Sequence, residues 1–513
     1  MTPEIQSRDL HTAKVIQMLA ARAKRAIRNP TSWFFVWVFS MGILWSLAQP
    51  LYGSPDETAH VVKAVATADL QFNGRTTVGD FGFESEVFEV PQAYSQGLPY
   101  IACILGEDRP SAACLGPFQQ GSNKVEVASS AAHYPPTYYA LVGPIGLIFP
   151  GSGGFYAMRL VSSLLTALVG AWAFRLALVH GSKTRAVGVV IAFSPMAFSL
   201  SGAVNPHGLE IAGAILFWVS CLTALEKLRD NQAISRRLIG AVLVSTLLFA
   251  TVRPASFFWM IPVVVLMMLF SGPRSSVRSL IRKYQGRILS VIVSSGVLLS
   301  MVLYKVSGIG TAVGGGTEPG LPTYAQNLEA AFDRGDEYFR FMFGWFGWVE
   351  FAAPPLAFFL CIGAIALAIG FSSLVAGSKK TLIVILCLAA VIFLPIISEG
   401  IKAKTSGFGY QGRYTLALAV GLPILAMWVR GSRLNRSDTR TFSVLAIATS
   451  AVASLLCLNF ALQRYTVGLN GRKLWMLSPD WLPPGGLPLI ALLAVAIGTS
   501  LLAFTYLLVR LPD

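Results

Sequence analysis

The chain has 513 residues, 54% of them apolar and only 13% charged, and its mean hydropathy is +0.62. That balance excludes a soluble domain wrapped around one core and indicates a multi-pass membrane protein. The formal charge of +15 reads as a topology signal, with a secondary attraction to anionic lipid heads, and implies no nucleic acid.

In chain order, apolar stretches of about bilayer-crossing length fall at 33–50, 156–180, 186–203, 208–225, 239–252, 255–270, 288–306, 354–376, 381–398, 412–429, 441–462 and 487–509. The expectation is an all-α polytopic protein of about twelve spans, the fifth and sixth being short. A basic segment, 1–32, carrying Arg8, Lys14, Arg22, Lys24, Arg25 and Arg28, precedes the transmembrane domain at 33–510. No small-residue cleavage site follows the first apolar stretch, so it is expected to stay as an anchor. Further basic clusters occupy alternate loops, at 181–186, 226–238, 271–287, 379–380 and 430–440, which places both termini in the cytoplasm. The long loops 51–155 and 307–353, with 399–411 and 463–486, then face outside.

The first outer loop opens on Ser54-Pro55-Asp56-Glu57-Thr58-Ala59-His60, a carboxylate pair where a membrane helix meets water, costly to keep without a use. Ser54 suits an N-cap, Pro55 the first helical position and Glu57 the capping-box position. Glu57 thus has a structural reading beside a catalytic one. Asp56 has no such reading, and it stands one turn before His60, on the same helix face. Val61 to Leu70 continue a short amphipathic helix along the membrane surface. A second juxtamembrane helix begins at His133-Tyr134-Pro135-Pro136-Thr137-Tyr138-Tyr139 and ends at Phe149, too short to span; its tyrosines serve either substrate or the interface. Between the two helices, Cys103 and Cys114 lie in a compartment that permits oxidation and are expected to pair. Cys221, Cys361, Cys387 and Cys457 fall inside spans and read as packing residues.

Polar residues recur at the outer ends of later spans. Asn205-Pro206 reads as a helix cap and first position, with His207 and Glu210 beside it as donor contacts. Arg159 and Arg253 near the outer boundary either snorkel or hold a phosphate. Glu350 is an acid within an aromatic rim, Gly344 to Pro355, suited to lipid or sugar stacking. Tyr410-Gln411-Gly412-Arg413-Tyr414 places an arginine where it can hold a phosphate leaving group.

The segments PDETAH, HYPPTYYALVGP, MRLVSSLL, NPHGLEI, GWFGWVEFAAPP and YQGRY, in that order along nearly the whole chain, resemble the GT-C superfamily of membrane glycosyltransferases. They resemble more closely the bacterial domain-of-unknown-function 2142 family of predicted membrane proteins. His207 and Glu350 depart from the pattern, each standing where an aspartate is expected. The resemblance implies a GT-C-like fold in a bacterial cytoplasmic (inner) membrane with the active site facing outside. It further implies inverting transfer of a sugar from a polyprenyl-phosphate donor to an envelope glycan, glycolipid or protein. Asp56 and Glu57 would be catalytic, and Arg413, Arg253 and Arg159 would bind the donor phosphate. His60, His133, Tyr138, His207, Glu350, Gln411 and Tyr414 would contact substrate. No cofactor is firmly implied, although Asp56, Glu57 and His60 offer ligands for a divalent metal. The rival reading is a transporter or flippase for envelope lipids or glycans. Transporters usually place their charges near the midplane within paired repeats, and no convincing repeat is evident here. A noncatalytic envelope scaffold is the third reading.

Overall fold

The computed structural model describes residues 27–78, 84–180, 182–272, 274–307, 323–375, 377–428 and 436–511. Most of the basic N-terminal segment, part of the basic loop 430–440, and residues 308–322 of the second long outer loop lie outside the described residues. The helices are α1 (Pro30–Ala48), α2 (Glu57–Ala68), α3 (Thr137–Ile148), α4 (Ser152–His180), α5 (Lys183–Ala192), α6 (Pro195–Ser201), α7 (Pro206–Arg229), α8 (Arg236–Thr251) and α9 (Phe257–Ser271). They continue as α10 (Arg274–Arg282), α11 (Tyr284–Ser307), α12 (Tyr324–Asp333), α13 (Gly335–Phe343), α14 (Pro355–Val375), α15 (Ser378–Ser406), the broken run α16 (Gly412–Ala426), α17 (Arg436–Val467) and α18 (Gly486–Arg510).

Among the described residues, α1, α4, α7, α11, α14, α15, α17 and α18 are long and apolar enough to cross a membrane, and α5 with α6 makes a ninth if their 66° bend lies within one span. The expected twelve are not reached. Each expected span does overlap helix, but α8 and α9 have only 16 and 15 residues. Their rise is about 24 and 22 Å, against a hydrocarbon core of about 30 Å. The run α16 is interrupted into short pieces.

Helix α7 is the axis of the assembly, buried on nearly all sides and packed on α4 and α8; its apolar character all round suits that position. Asn205 caps it as expected, accepting the His207 amide at 3.0 Å, with Pro206 in the first position. Around it, α1 packs on α4 and α18, and α14 packs on α17.

The first outer loop folds against this bundle. Helices α2 and α3 approach so closely that a Cβ on Gly143 would fall 1.9 Å from the Ala64 carbonyl oxygen. A three-stranded antiparallel sheet, β1 (Arg75–Val78), β2 (Glu84–Pro91) and β3 (Lys124–Ser129), packs on α2 through β2 and β3. This corrects the all-α expectation. The alternation Lys124-Val125-Glu126-Val127 is the strand signal. Cys103 and Cys114 are disulfide-bonded, and the other four cysteines are free and buried. A short antiparallel ribbon pairs β4 (Trp345–Phe346) with β5 (Phe351–Ala352).

Candidate functional site

The adjacent carboxylates of Asp56 and Glu57 point to different environments. Helix α2 begins at Glu57, and Asp56 precedes it in a left-handed backbone conformation, φ 59°, without any side-chain cap hydrogen bond. That conformation is unfavourable for a non-glycine residue and persists only where the surroundings enforce it. The expected capping box does not form: Ser54 Oγ is buried without a hydrogen-bond partner.

Glu57 turns inward instead. It accepts Arg159 Nε at 2.8 Å and Nη2 at 2.5 Å, together with the Val204 amide at 2.9 Å. Arg159 also donates to the carbonyls of Ser46, Gln49 and Pro50, so its five N–H groups are all committed. Both side chains are fully buried. Glu57, expected as catalytic, is thus engaged as a structural anchor, and Arg159, expected to bind phosphate, has all its donors engaged within the fold. The pair fastens the α1–α2 connection to α4 and to the segment entering α7.

Asp56 remains accessible, with 49% of its side chain exposed, and its carboxylate accepts Arg413 Nη2 at 2.5 Å. Arg413 is set by the start of α16, where Gly412 lies so close to α13 that a Cβ would fall 1.8 Å from the Tyr338 carbonyl oxygen. The neighbouring Tyr414 ring stacks on His207, centroids 5.4 Å apart. The guanidinium groups of Arg253 and Arg413 lie 5.1 and 5.5 Å from its centre. Arg253, between α8 and α9, reaches Glu210 of α7 at 3.2 Å, and His207 reaches the same carboxylate oxygen at 3.2 Å. The Nε atoms of Arg253 and Arg413 are buried without hydrogen-bond partners among the described residues. Unlike Arg159, these two arginines retain donor capacity.

On the other side of Asp56, His60 is buried and shares a 2.8 Å hydrogen bond with the Tyr139 hydroxyl. Burial chiefly, with Arg413 and Arg253, pulls its pKa down to about 4, against the opposing pull of Asp56. It is neutral near pH 7. Burial works against ionisation of Asp56, but Arg413 first, then His60, His207 and Arg253, more than offset it and lower its pKa. The resting Asp56 is a carboxylate.

The remaining candidates separate clearly. His60, His207, Tyr414 and Arg253 join Asp56 and Arg413, and half-buried Gln411 adjoins them, its Oε1 without a hydrogen-bond partner. His133 is half-buried in the turn before α3. Tyr138, expected to contact substrate, is fully buried and hydrogen-bonds Ser162 Oγ at 3.0 Å. Glu350, expected to contact substrate, is likewise buried, accepting Arg464 Nη2 at 2.6 Å and the Tyr465 hydroxyl at 3.1 Å. Arg464, which sequence reasoning missed, also donates to the carbonyls of Ile104 and Pro110. Its signal was available, an arginine at the end of an apolar span. The sequence leaves Tyr139 open between substrate and interface, and the structure joins it to His60. Among the described residues no group of three or more His, Cys, Asp or Glu side chains is placed to hold a metal. The turn of Glu57 towards Arg159 takes it out of the ligand set expected with Asp56 and His60.

The family model described as predicted membrane protein, DUF2142, matches residues 39–422, and the chain belongs to that family. No curated protein and no solved structure matches it.

Proposed function

We propose that the protein is an inverting membrane glycosyltransferase of GT-C type, moving a sugar from a polyprenyl-phosphate donor to an acceptor on the outer side of a bacterial cytoplasmic membrane. The observation that carries this reading is the half-exposed Asp56 carboxylate beside two arginines with donors in reserve. Asp56 is the general base. The acceptor hydroxyl oxygen bonds to the anomeric carbon as the bond from that carbon to the phosphate oxygen breaks. The electron pair leaves with the polyprenyl phosphate, and the hydroxyl proton passes to Asp56.

Arg413 serves both partners in turn. In the resting site it pairs with Asp56, which lowers the basicity of the carboxylate. An arriving donor phosphate competes for the same guanidinium, with Arg253 as its second cation, and releases Asp56 to accept a proton. Tyr414 and His207 hold the two guanidinium groups in place. The test is transfer from a synthetic polyprenyl-phosphate sugar by purified wild-type protein and by Asp56→Asn. Transfer by wild type and its loss in the variant, with donor binding kept, supports the reading. Near-wild-type transfer by Asp56→Asn refutes the role given to that residue, and vectorial movement of the lipid without sugar transfer would favour a flippase.

A further inference from the structure

A second polar and apolar feature lies apart from the Asp56 cluster. Between α14 and α17 runs a groove of about 1040 Å³, closed at its outer end by α13 and by the turn that follows α17. Its walls include Phe358 and Phe359 of α14 and Leu456 and Phe460 of α17; its outer rim carries Arg340 and Lys473. The apolar depth follows from helix geometry. Leu456 lies eleven residues before the end of α17 at Val467, about 16 Å along the axis, and the α14 wall is the first turn of that helix, Pro355 to Phe359.

The rim is a built structure. Gln463 of α17 donates to the Gly471 carbonyl at 3.3 Å, and Trp475 Nε1 donates to Asn459 Oδ1 at 3.2 Å. These bonds hold the turn over the helix end and bring Lys473 to the mouth. Arg340 has only an exposed pairing with Asp336 at 3.4 Å, too weak to neutralise it in water. Lys473 makes no ion pair among the described residues. Just beyond it, Leu474 and Leu477 are 66% and 80% exposed, side chains that fit the acyl edge of a leaflet beside a basic residue.

We infer that this groove holds an anionic membrane phospholipid, its phosphate between Arg340 and Lys473 and its acyl chains between α14 and α17. The combination decides the occupant. A soluble anion has no use for an apolar wall of Phe358, Phe359, Leu456 and Phe460, and a neutral lipid has none for the two rim cations. The groove is also not the Asp56 site. None of Asp56, Arg253, Arg413 and Tyr414 lines it, and the segment around β4 and β5 intervenes. There Trp348 Nε1 donates to the Tyr52 carbonyl at 2.8 Å, and the Tyr465 hydroxyl oxygen lies 3.3 Å from the Gly53 carbonyl oxygen. The inference stands whether or not the chain transfers sugars.

The test uses the full-length protein in nanodiscs of phosphatidylcholine with a minority of phosphatidylglycerol, followed by native mass spectrometry of the lipid kept on release. Wild type is expected to retain phosphatidylglycerol over phosphatidylcholine. One basic side chain near the surface favours an anionic lipid by roughly fivefold, so the double variant Arg340→Gln/Lys473→Gln should lose about 25-fold of that preference. Leu456→Trp, which fills the apolar wall without touching charge, should lower retention of phosphatidylglycerol while the rim is intact. An undiminished preference in the double variant overturns the inference. So does displacement of the retained lipid by inorganic phosphate, which would make the rim a free-anion site, or by polyprenyl phosphate at equal concentration, which would assign the groove to a lipid-linked substrate.

Discussion

Replacing Glu57 by Gln and Asp56 by Asn should break the protein in two different ways, although the residues are neighbours and each change swaps a carboxylate for an amide. Glu57→Gln keeps the side-chain shape but removes the one carboxylate that, among the described residues, meets the fully buried Arg159 guanidinium. The remaining partners of Arg159 are three backbone carbonyls, which carry no net charge. Removing one member of a buried ion pair costs about 3–5 kcal/mol, a large share of the roughly 5–15 kcal/mol by which a folded domain is stable. The Val204 amide also faces a poorer acceptor. Asp56→Asn, by contrast, removes a half-exposed charge whose backbone is unfavourable and whose side chain makes no helix-capping bond. Because it leaves the buried Arg413 guanidinium without its carboxylate partner, it should cost some stability, less than Glu57→Gln since Asp56 is half-exposed, while lowering transfer by about 100- to 10,000-fold, the usual range of a general base. The assays are thermal unfolding in detergent, monodispersity by size exclusion, and sugar transfer on the monodisperse fraction. A Glu57→Gln protein that unfolds at the wild-type temperature but has lost transfer would refute the assignment and return the catalytic role to Glu57.

Arg413→Ala should weaken donor binding and turnover together, because a phosphate partner is removed from both ground and transition states; unchanged donor affinity would exclude Arg413 as a phosphate ligand. The Asp56 carboxyl is held low mainly by Arg413 acting against burial, so transfer should fall only as pH drops through that lowered pKa, and Arg413→Ala should move the acid limb of the pH profile upward. Buried His60, pulled from 6.5 to about 4, refuses a proton that the unfolded chain accepts. Its contribution makes stability fall as pH drops from about 6.5 to about 4; His60→Gln should flatten this slope in melting temperatures, and an unaltered slope would contradict the burial argument. Cys103→Ser/Cys114→Ser should lower stability by about 2–4 kcal/mol, towards the smaller figure because Arg464 also holds Ile104 and Pro110 of the bridged loop; an unchanged melting temperature would show that the bridge adds nothing.

The parts of the site legible in the sequence were those set by local chemistry. Asp56 was separable from Glu57 because a capping role was open only to the latter, although the capping box does not form. What fixes Glu57 is a partner more than a hundred positions away on α4, and no local pattern reports such a pairing. The same limit explains Glu350. Its aromatic setting was visible, but its ion pair with Arg464 joins two segments that sequence spacing cannot bring together. The sheet in the outer loop was obscured similarly, since β2 and β3 are short and far apart in the chain, although Val125 and Val127 alternate with charged residues.

The miscounted spans and the candidate site have a common physical origin. Hydropathy registers α8, α9 and α16 as apolar, as indeed they are, but apolarity alone does not give the length needed to cross a bilayer. Helices α8 and α9 stop short, and the chain between them carries Arg253; α16 opens as a 3-10 turn that carries Arg413. Had all three been full spans, these arginines would be carried outward into bulk water, where a guanidinium–carboxylate contact is worth little. Their shortness brings Arg253 against Glu210, one turn inside α7, and Arg413 against Asp56. A membrane-buried rim of this kind can strengthen an electrostatic interaction with a phosphate by excluding competing water, provided that one acidic group stays open to exchange partners. Among the carboxylates joined to these arginines, Glu210 is buried and Asp56 is the half-exposed one. The residue that sequence reasoning could least explain structurally is thus the one the fold leaves half-exposed.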